Sequence, residues 1–211
     1  MEKNPCYLTV KQILHDNDVL LEQTSLYKHY KNFSAKTLAD LYHIEGSVLE
    51  NFSYDSIFLP WIHHRPVTAY NDCAFMKPTS DDLIKNQIEK LRELIASFKA
   101  HGYSPEKFPD RKLGHVTGYQ LQQKMTKKYY IVSGNHRVAT MFGICPDHEI
   151  LMLNERVSFM KPRDLEQNGT ILQGEFPTIF TDNDVSTWPS VSSGFIDEHT
   201  ALQIFDRYIT A

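Results

Sequence analysis

Tyr129-Tyr130-Ile131-Val132-Ser133-Gly134-Asn135-His136-Arg137-Val138-Ala139-Thr140-Met141-Phe142-Gly143 is the stretch that decides how this chain is read. Tyr129 to Val132 is a β-prone apolar run. Ser133-Gly134 supplies a turn, Asn135-His136-Arg137 follows, and a helix-compatible run continues from Val138. A strand, a glycine turn and a helix start bring backbone N–H groups, an imidazole and a guanidinium to one point. The first N–H groups of a helix have no intrahelical partner, and the helix dipole is positive there. Arg137 adds a planar fork that matches phosphate. The stretch therefore reads as an anion site, above all for phosphate. The plainer alternative is an ordinary strand-to-helix turn with a surface His and Arg, because four-residue motifs recur by chance. The flanking sequence has to decide.

Upstream, His115 to Gln122 reads as a strand, Lys124 to Lys128 as a turn, and Tyr129 to Val132 as the return strand of a hairpin. Before it, Ser80 to Ala100 carries Leu83, Ile84, Ile88, Leu91, Leu94, Ile95 and Phe98 at helical spacing. Ser80-Asp81-Asp82 is its cap and acidic first turn, Gly102 its stop, and Lys85, Glu89, Lys90, Arg92 and Glu93 its solvated face. Downstream, Glu149 to Leu153 is a further buried strand. Long helix, hairpin, glycine turn, helix and strand make an α+β fold around a small mixed sheet, with packed helices.

The ends are harder to read. Cys6 to Val10 is strand or short helix, followed by Lys11 to His15. Thr24-Ser25 caps a helix from Leu26, and Ser34 caps a second over Ala35 to Tyr42. Phe58-Leu59-Pro60-Trp61 is an extended aromatic turn. Ile62 to Val67 then reads as a surface strand on which His63 and His64 face opposite ways, so they do not suit a zinc site. Trp188 anchors a turn-rich segment from Asp184 to Gly194, and a last helix starts near Asp197-Glu198. The expected organisation is an N-terminal extension over 1–45, a core over 46–156 and a C-terminal extension over 157–211.

Composition limits the function classes. The 211 residues are 41% apolar and 23% charged, ordinary for a folded protein with a sizeable core. A formal charge of -4 lacks the basic excess of a broad nucleic-acid footprint. Three widely spaced cysteines indicate neither a disulfide framework nor a zinc ribbon. With no apolar leader after Met1 and no membrane-length apolar run, a cytoplasmic location is expected.

The order helix, hairpin, Gly134-Asn135-His136-Arg137 and then Ala139 resembles the core of the ParB/sulfiredoxin-like superfamily. In that superfamily the Gly-x-x-Arg turn binds nucleotide phosphates. Asn135 stands where sulfiredoxins carry their nucleophilic cysteine, so sulfinic-acid repair is not expected. The helix-turn-helix and basic character of ParB are not seen either. Leu26-Tyr27 with Tyr30, Pro60-Trp61, the glycine turn, and Trp188-Pro189 with Val191 and Gly194 extend the resemblance over most of the chain. They point to members of the superfamily associated with bacterial surface-polysaccharide biosynthesis.

The resemblance implies a nucleotide-dependent phosphotransferase, a small-molecule kinase acting on a sugar, polyol or similar hydroxyl acceptor. ATP or another nucleotide, with Mg²⁺ held partly by the nucleotide itself, would be the cofactor. Ser133, Gly134, Asn135, His136 and Arg137 would hold phosphates, and Arg65 with His64 would add a second cation and donor. Asp72 is the candidate base, with His136 as the other catalytic candidate. The alternatives are a non-catalytic nucleotide-binding regulatory or scaffold module and, behind it, a ParB-like DNA-binding regulator. The expected partners are nucleotide and a small-molecule or glycan substrate.

Overall fold

The computed structural model describes residues 4–53, 58–66, 79–103, 116–145, 152–154 and 178–210. Its sheet is built on β1 (Val116–Gln123). β2 (Thr126–Ser133) lies antiparallel along one edge of β1, with Tyr119 opposite Tyr130 and Thr117 opposite Ser133. β3 (Met152–Asn154) and β4 (Ile179–Thr181) are parallel to β1 and pair with successive parts of it, Val116–Gly118 and Gln120–Gln122. The result is a four-stranded mixed sheet with β1 at its centre, inside an α+β arrangement. A central strand is covered on both sides, and every residue from Val116 to Leu121 is buried.

The long helix α4 (Asp81–His101) forms where the apolar spacing places it. The Ser80 side chain accepts the Leu83 N–H, and Gly102 ends the helix at φ 67°. Ile84, Ile88, Leu91 and Ile95 are each at most 5% exposed. Burying such a side chain contributes roughly 1.5–3 kcal/mol before conformational entropy is set against it. Their partners are Val10 and Ile13 of α1 (Pro5–His15), Leu26 of α2 (Ser25–Asn32) and Ala139 of α5 (Asn135–Ile144).

A second core lies on the Tyr119 and Leu121 face of the sheet. It joins Leu38 and Tyr42 of α3 (Leu38–Tyr42) and Trp61 to Trp188 just before α6 (Pro189–Ser192). Ile204, Phe205 and Ile209 of α7 (Glu198–Thr210) complete it. Tyr119 and Tyr130 stack at 5.0 Å, and Trp61 meets Trp188 edge to face at 5.7 Å. Such aromatic pairs contribute about 0.5–1.5 kcal/mol beyond their area. Each core draws on residues from more than one of the three expected stretches.

Several local expectations are corrected. Cys6 to His15 is a single helix, because Asn4 accepts the Tyr7 N–H as N-cap and Pro5 fits the first turn. Thr37, not Ser34, caps α3: its side chain and that of Asp40 form a reciprocal capping box. The hairpin turn is shorter than expected, with Gln123 already opposite Thr126 and Lys124 at φ 53°. Arg92 is not simply part of a solvated face. It donates to the carbonyls of Asn17 and, at 3.1 Å, Val19, so it holds the segment after α1 against α4. Neither His63 nor His64 lies on a strand: His63 follows the turn at Pro60 to Ile62, and His64 and Arg65 form a bend. No helix among the described residues is long and apolar enough to cross a membrane.

Candidate functional site

The glycine turn sits at the junction of the sheet and the helical layer. β2 ends at Ser133, Gly134 adopts φ 95°, and α5 starts at Asn135, earlier than the Val138 start read from sequence. Positive φ suits glycine, and a second constraint selects it as well. A Cβ on Gly134 would lie 3.2 Å from Val116 of β1 and 3.5 Å from Nη1 of Arg137. The turn therefore rests directly on the central strand, and the Arg137 guanidinium reaches back over it.

Among the described residues no side chain caps α5 at this end. The ten-residue helix thus presents its positive terminus with Asn135 exposed and His136 and Arg137 partly buried. Nε2 of His136 is shut off from solvent and has no hydrogen-bond partner among the described residues. Leaving a buried polar atom unpaired costs on the order of 1–3 kcal/mol. Burial, and then the charges of Lys90 and Arg137, hold the His136 imidazole below its ordinary pKa. Lys90 is an exposed residue of α4, so a second helix contributes positive charge here. Its place in the site is tertiary and was not visible as spacing. The helix terminus, Lys90, His136 and Arg137 together can neutralise an anion.

Ser133 is exposed at the end of β2 and stands across from Thr117. His64 and Arg65 are exposed as well. His64 bonds to Pro189 and Ser193, beside Trp188, and among the described residues not to the glycine turn. Asp72 lies outside the described residues. Among the described residues no three His, Cys, Asp or Glu side chains gather as metal ligands.

Sequence reasoning did not anticipate one feature. An open groove of about 1320 Å³ runs between α2 and α3, past Lys28, His29, Phe33, Lys36, Asp40 and His43. It is separate in its lining residues from the glycine turn, and its charges are of both signs. Compared with family models, curated proteins and solved structures, the chain matches none.

Proposed function

We propose that this chain is a nucleotide-dependent phosphotransferase whose glycine turn holds the nucleotide phosphates. The acceptor in this reading is a hydroxyl of a sugar, a polyol or a similar small molecule, in the setting of bacterial surface-polysaccharide assembly. The observation that carries it is His136: a buried imidazole nitrogen that has no hydrogen-bond partner among the described residues, at a helix start that none of them caps with a side chain, with Lys90 and Arg137 acting on it. A terminal phosphate would supply the missing acceptor and offset the gathered positive charge.

Phosphoryl transfer depends mainly on positioning and charge neutralisation, which this turn can provide. Gly134 lets phosphate oxygens approach the backbone, Arg137 offers its fork, and His136 donates from its ring. Mg²⁺ would be held mostly by the nucleotide itself. Asp72 remains the proposed base, and Arg65 with His64 the proposed second cation and donor. Without them the same turn would serve a nucleotide-binding regulatory module.

A thermal-shift panel with ATP, ADP, CTP and GTP, each with and without Mg²⁺, tests binding. Stabilisation by at least one nucleotide is expected, and no shift at millimolar nucleotide sinks the proposal. Nucleotide turnover that depends on an added sugar or polyol separates the phosphotransferase from the regulatory module.

A further inference from the structure

Pro60 to Ile62 forms a turn, closed between Leu59 and His63, whose middle residue Trp61 is 1% exposed. The turn is closed twice between the same two residues. The His63 N–H donates to the Leu59 carbonyl at 2.9 Å, and the Leu59 N–H donates to His63 Nδ1 at 3.2 Å. An N–H donor requires Nδ1 to be an acceptor, so the His63 ring is neutral and carries its proton on Nε2. His64 is the reverse. Its Nδ1 faces the Pro189 carbonyl at 3.1 Å, and a carbonyl only accepts, so this Nδ1 bears a proton. The two adjacent imidazoles therefore respond differently to acid. The Nδ1 of His64 donates to the Pro189 carbonyl, so this bond does not depend on a neutral ring. His63 loses its bond and turns a new N–H towards the N–H of Leu59.

The turn has something to hold. The Ser190 N–H donates to the Pro60 carbonyl at 3.2 Å, and Ser193 Oγ donates to the His64 carbonyl at 3.3 Å. Trp61 packs edge to face against Trp188, Phe205 and Tyr208. The turn thus fastens the Pro60-Trp61 segment to the Trp188-Pro189 segment across the second core.

We propose that Leu59 and His63 form a proton-operated latch: neutral His63 keeps Trp61 seated against Trp188, and protonation of His63 releases the turn. The His63 ring faces the Phe58 ring at 6.5 Å and the Leu59 N–H, and its exposed chain neighbours are His64 and Arg65. Among the described residues no carboxylate acts on this imidazole: burial is the larger influence and disfavours the added charge, and the Leu59 backbone, which favours it, is the smaller. Burial already holds His63 below its ordinary pKa. The latch is therefore closed above about pH 6.5 and opens as the pH falls through the lowered folded value.

The chain has 2 Trp, and both stand in this contact, so intrinsic fluorescence reads the latch directly. Acidification should shift the emission of the wild-type protein to the red, with a one-proton midpoint below about 6.5. His63→Asn keeps an acceptor in the Nδ1 position that does not titrate, and should remove the transition. His64→Gln should leave it in place. A flat wild-type titration, or a His63→Asn protein that titrates as the wild type does, overturns the proposal. Should His63→Asn fail to fold, ¹⁵N NMR of the wild-type His63 ring at neutral pH decides: a proton on Nε2 is expected, and a proton on Nδ1 overturns the latch.

Discussion

Gly134 and Val116 lie so close that a Cβ on the glycine would stand 3.2 Å from both Cα and Cγ2 of the valine. The relationship joins fold to site. It seats the turn on the central strand, and the helix that follows begins at Asn135, so its positive end lies beside His136 and Arg137. Gly134→Ala meets two penalties, the left-handed backbone at φ 95° and the contact with Val116. The backbone penalty alone is about 1–2 kcal/mol. Urea unfolding should show a loss of at least that size, accompanied by loss of nucleotide-induced stabilisation. A Gly134→Ala protein as stable as the wild type would contradict this geometry.

Gly143 has a similar role one residue before the end of α5. A Cβ there would collide with the Val10 side chain of α1 and meet Leu14 at 3.5 Å. Val10 is fully buried and so has little room to yield. Gly143→Ala should cost roughly 1–3 kcal/mol by overpacking. Adding Val10→Ala to it should recover part of that loss, and a double-mutant cycle reads the coupling. Strictly additive effects would show that α1 and α5 do not meet at these residues.

Arg92 gives a third check. It bonds the carbonyls of Asn17 and Val19 from its place on α4. Hydrogen bonds from a charged donor contribute about 1.5–3 kcal/mol each at best. Arg92→Leu should lower stability by about 2 kcal/mol and increase proteolytic cleavage in the segment after α1. Unchanged stability and unchanged cleavage would return Arg92 to a plain surface residue.

Acid should destabilise the protein through its histidines. His29, His63 and His136 are all held below the ordinary pKa, with burial the first cause for each. Between the folded values and about 6.5 the unfolded chain binds protons that the folded chain does not. Stability is therefore fully present above about pH 6.5 and declines as the pH falls towards the folded values. Melting curves over that range should show a falling Tm. A phosphate at His136 favours the charged ring, so nucleotide binding should take up protons. Calorimetry in buffers of different ionisation enthalpy reads that uptake, and zero uptake removes His136 from phosphate contact.

These features differ in how far they were legible. The period of Ile84, Ile88, Leu91 and Ile95 and the caps Ser80 and Gly102 are local signals, and α4 follows them closely. The hairpin and the glycine turn were legible for the same reason. Asn4-Pro5 and Thr37-x-x-Asp40 also carried cap signals, but each competed with a nearby alternative, strand propensity in one case and Ser34 in the other. The tight hairpin turn places Lys124 at positive φ, where glycine or asparagine would have marked it. Lys90 beside His136, Arg92 on Asn17 and Trp61 on Trp188 depend on tertiary packing and leave no trace in local spacing. The same holds for the groove between α2 and α3.

The central claim is that phosphate binds at Gly134 to Arg137. The most direct measurement is titration of Mg·ATP into the ¹⁵N-labelled chain, followed by amide shifts in the wild type and in Arg137→Ala. The account predicts saturable shifts centred on Ser133 to Val138 that vanish in a folded Arg137→Ala protein. No shifts at millimolar Mg·ATP, or shifts confined to the groove lined by Lys28, Lys36 and Asp40, would contradict it.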